Sequence, residues 1–219
     1  MDEGSGRYLD SGQGNHGTGG AGATRVAGLV GAGAAKFNNT TSAFINVGTG
    51  VSSSFTVSEG ITVEALFKPE WSGTEGDPDD IFRKEDGAKR IVLAFQNDSL
   101  GGEANPPVGL GPVLSFGLNV GGTYGELDML LDGLEGRPAL SSLTDGGTHH
   151  VAATYESTTG LKAIYVDGKL AFSVSLAPGN IQSGGTTAAY IGNMAGRAES
   201  FTGTLDEVAF WKGALSADR

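Results

Sequence analysis

The stretch Gly125-Glu126-Leu127-Asp128-Met129-Leu130-Leu131-Asp132 sets two carboxylates two residues apart, on one face of an extended strand. Paired carboxylates are the machinery of glycoside hydrolysis, and a retaining enzyme needs them about 5–5.5 Å apart. The next positions on that face are Leu130 and Asp132, so a leucine stands where an acid/base would be wanted. The other reading makes Glu126 and Asp128 solvent-facing groups on an antiparallel strand whose opposite face packs inward. A serine hydrolase is excluded more directly: there are three histidines, and no serine sits in a Gly-x-Ser-x-Gly elbow.

Metal chemistry has a narrow range here. The chain has no cysteine, which removes thiolate zinc sites, sulfur nucleophiles and disulfides. Adjacent His149 and His150 point to opposite faces of a strand and cannot chelate one ion; one ring is expected packed and the other wet. Asp77, Asp79 and Asp80 form an acidic cluster that reads either as a solvated loop or as a hard-oxygen cation site. Gly12-Gln13-Gly14-Asn15-His16-Gly17 matches Gly-x-Gly-x-x-Gly, but no strand-then-helix context follows to hold a pyrophosphate. Sugar recognition needs an exposed aromatic face flanked by hydrogen-bonding groups. Trp71, beside an acidic loop, and Tyr124, beside Gly121-Gly122, are the ligand-binding candidates, with Trp71 alternatively covering the sandwich edge; Trp211 reads as packed.

The elements that must position these residues are strands. Short runs rich in Val, Ile, Phe, Thr and Tyr end repeatedly in Gly, Asn or Asp. They predict strands near Ala34–Phe37, Ala43–Val47, Phe55–Val57, Ile61–Lys68, Asp80–Lys84, Arg90–Gln96, Val113–Val120 and Gly125–Leu130. The series continues with His149–Glu156, Leu161–Val166, Lys169–Ser175, Ala188–Ile191 and Gly203–Trp211. Asp167-Gly168 between apolar runs predicts a two-residue hairpin turn. Asp10–Gly33, dense in Gly, Ala, Ser and Thr, reads as loop. Helix is confined to Leu134–Ser142, interrupted by Pro138, and the terminal Ala214–Arg219. Glycine is 38 of 219 residues, far above the usual share of about 7%, as many tight turns require. The fold class is all-β, an antiparallel two-sheet sandwich or barrel. Residues 14 basic to 25 acidic give a net charge of −11, which argues against nucleic acid as a partner. No apolar run approaches the ~20 residues that span a bilayer, so membrane insertion is not expected. Met1-Asp2-Glu3 is acidic where a signal peptide would be basic and then apolar.

Four ordered pieces carry a resemblance. They are Met1–Gly6 with Asp10–Gly17; Phe55–Val57 with Ile61–Pro69; His149–Tyr155 leading to Tyr165-Val166-Asp167-Gly168; and Phe201–Trp211 with Ala214–Asp218. Together they resemble LamG-like jelly-roll domains of the concanavalin A-like lectin/glucanase superfamily. The resemblance implies a single jelly-roll domain over 1–219, excised from a longer multidomain protein. It implies an extracellular or cell-surface setting, and a non-catalytic carbohydrate-binding or adhesion module whose partner is a polysaccharide or glycoprotein. A glycoside hydrolase or lyase, or a structural spacer or protein-binding domain, stands beside it, because the superfamily hosts several functions. The Glu126–Asp132 run is similar to the acidic strand motif of retaining glucanases in that superfamily. By the same resemblance, Asp10, Asn15 and Asp206 are candidate ligands for a structural calcium ion tying the N-terminal loop to the last strand. Alternatively, Asp10 and Asn15 close turns through their own backbone and Asp206 pairs with a neighbouring strand.

Overall fold

The computed structural model describes residues 1, 3–12, 14–50, 54–74, 78–98 and 111–217. In chain order the strands are β1 (Thr18–Gly19), β2 (Ala23–Val26), β3 (Ala34–Asn38), β4 (Ile45–Gly48), β5 (Gly60–Pro69), β6 (Asp79–Asp86), β7 (Lys89–Asp98), β8 (Gly111–Val120) and β9 (Thr123–Leu130). A one-turn helix α1 (Leu140–Leu143) follows, then β10 (His149–Glu156), β11 (Leu161–Val166), β12 (Lys169–Ser175), β13 (Ala189–Ile191) and β14 (Thr202–Trp211). They form two seven-stranded antiparallel sheets, ordered β1-β4-β13-β6-β7-β8-β9 and β12-β11-β10-β5-β14-β3-β2, which face each other as a sandwich.

Alternation explains the layers. In β5, Ile61, Val63, Ala65 and Phe67 point into the core and are fully buried, while Glu64, Leu66 and Lys68 face outward. Each buried Phe, Ile or Leu contributes about 1.5–3 kcal/mol. Phe95 bridges the aromatic part of the core, with ring centroids 5.5 Å from Phe67 and 6.5 Å from Phe201. The Asp167-Gly168 turn joins β11 to β12 with φ of 49° and 74°, the positive pair a two-residue hairpin demands. Lys162 breaks the apolar pattern. It points inward with Ile164 and Val166, and its Nζ donates to the Gly125 carbonyl of the opposing sheet at 2.8 Å. It lies 5.3 Å from the Phe116 ring centre, and burial brings its amine down to about 7.

Several expectations are corrected. Asp10–Gly33 is not all loop, since β1 and β2 lie within it; Phe55–Val57 is not a strand although Phe55 and Val57 are buried. The first helix forms only after Pro138, and residues 214–217 are not helical. No helix among the described residues is long and apolar enough to cross a membrane.

In β14 the ladder to β5 slips between Asp206 and Ala209, with Glu207 at φ 46°. This is a β-bulge, and one extra residue reverses which side chains face the core. Leu205 points inward before it; Phe210 packs against the core after it, and Trp211 turns outward.

Candidate functional site

The outer face of the first sheet is a polar lattice. One cross-strand row runs Asn46, Tyr190, Arg83, Val92, Gly117, Glu126, and the next aligns Asp80, Ala94, Ser115 and Asp128. The expected solvent-facing carboxylates are instead held in place: Gln96 Nε2 donates to Glu126 Oε2 at 2.8 Å and approaches Asp128 Oδ1 at 3.5 Å. The Ser115 hydroxyl also donates to Asp128, which is buried. Leu130 occupies the next outward position on β9, paired with Val113.

Neither expected sugar platform presents an open face. Trp71 is 2% exposed and its ring lies 5.6 Å from that of Phe95, because the chain leaving β5 folds over the end of the core. Tyr124 lies across Gly117, where a Cβ would come within 2.0 Å of its hydroxyl, and the Arg90 guanidinium sits 4.3 Å above its ring. Its hydroxyl donates to Glu126 at 2.6 Å; burial and that carboxylate hold the phenol well above its usual range.

The acidic cluster is also corrected. Asp79 and Asp80 are buried: Asp79 accepts the Thr202 N–H at 2.8 Å, and Asp80 receives two bonds from Arg83, at 2.6 and 3.0 Å. Burial pushes the Asp80 carboxyl up against the pull of Arg83. Asp77 lies outside the described residues.

Of the proposed calcium ligands, Asp10 and Asn15 meet and Asp206 is engaged elsewhere. Asp10 accepts the Gly12 N–H, the Asn15 N–H and Asn15 Nδ2, at 2.8, 2.8 and 3.2 Å, while its own N–H donates to His16 Nδ1 at 3.0 Å. Asp206, fully buried, accepts the N–H groups of Leu29, Val30 and Glu207 at 3.0, 3.1 and 2.9 Å. The tie between the N-terminal region and the last strand therefore exists, made by backbone donors aimed at Asp206. Among the described residues no group of three or more His, Asp or Glu is arranged to hold a metal ion.

The exposed aromatic is Trp211, at 40%. Its indole N–H donates to Glu64 Oε1 at 2.7 Å, and the other oxygen of Glu64 lies 3.1 Å from His150 Nε2. Three adjacent strands build this group. Glu64 on β5 is flanked directly by Ala152 of β10 and Ala209 of β14, and those small neighbours leave it room to reach its partners diagonally. His149 takes the opposite face, 5.8 Å from the Phe67 ring, with its nitrogens 3.0 Å from Asp167 and 3.3 Å from Asp145. Parity counted from Leu205 turns Trp211 inward; only a signal for the bulge would have found it.

Beside Trp211 the sandwich opens into a cleft of about 980 Å³. Its floor includes Ile45, Phe55, Phe82 and Phe210, and its rim carries Glu3, Asp10, Glu207 and Lys212. The volume lies at the upper end of the range for small-molecule sites, about 300–1,000 Å³.

The sequence matches the Laminin_G_3 family model, described as the concanavalin A-like lectin/glucanases superfamily, over residues 37–219. No curated protein matches it. Among solved structures, the binding domain of Paraclostridial Mosquitocidal Protein 1 aligns with TM-score 0.69 and 14% identity, over 97% of this chain and 49% of that one. The botulinum neurotoxin serotype G binding domain gives 0.65 and 12%, over 95% and 46%. Domain 4 of AbnA, an extracellular arabinanase from Geobacillus stearothermophilus solved with arabinotriose, gives 0.57 and 20%, over 91% and 79%. The chain thus spans about half the length of the two toxin structures, and at these identities the likeness is one of fold.

Proposed function

We propose, from the premise that this chain belongs to the concanavalin A-like lectin/glucanases superfamily, that it is a non-catalytic carbohydrate-binding module acting on a polysaccharide or glycoprotein outside the cell or at its surface. Trp211 carries the reading. Its exposed indole offers the apolar face that a sugar ring stacks on, and Glu64, His150 and Lys212 supply hydroxyl partners around it. A hydrolase is disfavoured because Gln96 engages Glu126 and approaches Asp128, while a leucine fills the next position. The arabinotriose bound by the arabinanase domain makes arabino-oligosaccharides the first ligands to try.

Calorimetric titration with arabinotriose and a panel of neutral polysaccharides tests this. Binding that Trp211→Ala weakens by ten-fold or more, with an unchanged unfolding midpoint, is the expected outcome. A panel with no binder, or binding indifferent to Trp211, overturns it. A structural calcium ion is proposed on Asp10 and Asn15; a midpoint equal in calcium and in EDTA removes it.

A further inference from the structure

Strand register lays two rows of side chains across the outer face of the second sheet. One runs Trp211, Thr62, Thr154, Ala163, Ser173, and the next runs Ala209, Glu64, Ala152, Tyr165, Leu170. Past Trp211 the first row is covered. The Thr62 hydroxyl donates to the Gly213 carbonyl at 2.8 Å and accepts the Leu215 N–H at 2.9 Å, which fixes the C-terminal residues over it, and Thr62, Thr154 and Ala163 are all buried. The second row is open: Glu64, Ala152 and Tyr165 are half-buried, and Leu170 is exposed. Ile164 and Val166 pack in the core, so Tyr165 between them points outward.

Trp211 leans toward the open row. Its indole N–H reaches Glu64 on the adjacent strand, in the direction of β10 and β11. His150, the outward residue on β10 before Ala152, meets the other oxygen of Glu64. Beyond them only the methyl group of Ala152 stands between Glu64 and Tyr165, so the floor is low there and a second aromatic rises on its far side. β14 and β11 are three strand spacings apart, about 14 Å, a span longer than one sugar ring.

We propose that the glycan site continues from Trp211 across Glu64 and Ala152 to Tyr165, which serves as a second stacking platform, so that the module binds a run of several residues along a linear polysaccharide. This rests on the glycan reading of Trp211 and assigns its ligand class. The covered row beside it forms one wall of the path, and His150 stands on the other side.

The test is calorimetric titration of the whole chain with arabino-oligosaccharides from the disaccharide to the hexasaccharide, and with cello- and laminari-oligosaccharides of the same lengths. Affinity is expected to rise with length beyond the trisaccharide. Tyr165→Ala should lower the ratio of hexasaccharide to trisaccharide affinity by about five- to ten-fold, the worth of one aromatic stacking contact, and Tyr165→Phe should keep it. Ala152→Gln, which raises the floor between the platforms without touching the core, should lower the same ratio and separates a blocked path from a misfolded variant. Binding that needs Trp211 but does not grow with length, or growth that survives both Tyr165→Ala and Ala152→Gln, overturns the extension and leaves the glycan reading standing. A series in which nothing binds overturns both. A dimer in sedimentation that Tyr165→Ala dissolves assigns this face to a second copy of the chain and likewise overturns the extension.

Discussion

At Glu207 a single backbone angle decides which side chain meets solvent. Strict alternation from Leu205 turns Trp211 inward, and the positive φ at Glu207 shifts the parity so that Phe210 packs and Trp211 is exposed. A bulge built on a glutamate carries no sequence signature, because glycine, the residue that announces a left-handed position, is missing there. Trp71, which leaves β5 beside loop residues, could be read as a sugar platform or as a cover on the sandwich edge; the contact with Phe95, distant in sequence, buries it in the second role. The meeting of Asp10 and Asn15 was legible as a local turn; Leu29 and Val30, two of the three donors to Asp206, lie 177 and 176 positions away and were not. Changing Asp206→Ala removes the acceptor of three N–H groups and is expected to cost about 2–4 kcal/mol, read by urea denaturation. The loss should be the same in calcium and in EDTA, and Asp206→Asn should recover part of it. An effect confined to calcium would return Asp206 to the metal reading.

At the scale of elements, β10, β11 and β12 fell where alternation and the Asp-Gly turn put them, with both ends matching. β1 and β2 did not, because composition reads glycine as loop. The glycines here serve close packing: a Cβ at Gly17 would sit 2.4 Å from the Ile45 side chain, and one at Gly20 would sit 2.2 Å from the Ser42 carbonyl. Only the partner strand reveals that need. β11 carries a second lesson in Lys162, which alternation puts inward among apolar residues. Its amine is brought from 10.5 to about 7 by burial, so between those values the unfolded chain binds more protons than the folded one. Stability from this group therefore rises with pH across about 7 to 10.5 and is lowest below 7. Lys162→Met should raise the unfolding midpoint at pH 6, with a gain of a few kcal/mol at most, and the gain should shrink toward pH 10. Denaturant titrations at pH 6 and pH 10 check it; an equal gain at both would show that the amine binds its proton as tightly in the fold as in the unfolded chain, so that burial does not lower it.

For the molecule as a whole, a net charge of −11 bears on the glycan binding proposed above. Like-charge repulsion acts over roughly 8–10 Å at physiological salt, so sulfated chains are disfavoured and neutral ones admitted. Heparin chromatography should show no retention at 0.15 M salt; retention would move the search to anionic polysaccharides. The order of the second sheet bears on how the chain is made. β14, its last strand, inserts between β3 and β5. Until residues 202–211 leave the ribosome, β12-β11-β10-β5 and β3-β2 are two separate half-sheets, each with an open hydrogen-bonding edge. Completion of the fold therefore waits until β14 has been made, is slow in the manner of long-range β pairing, and leaves the open edges exposed to edge-to-edge association until then. A chain released before Thr202 lacks the strand that joins the two halves, so cellular quality control meets an adhesive fragment rather than a weakened domain.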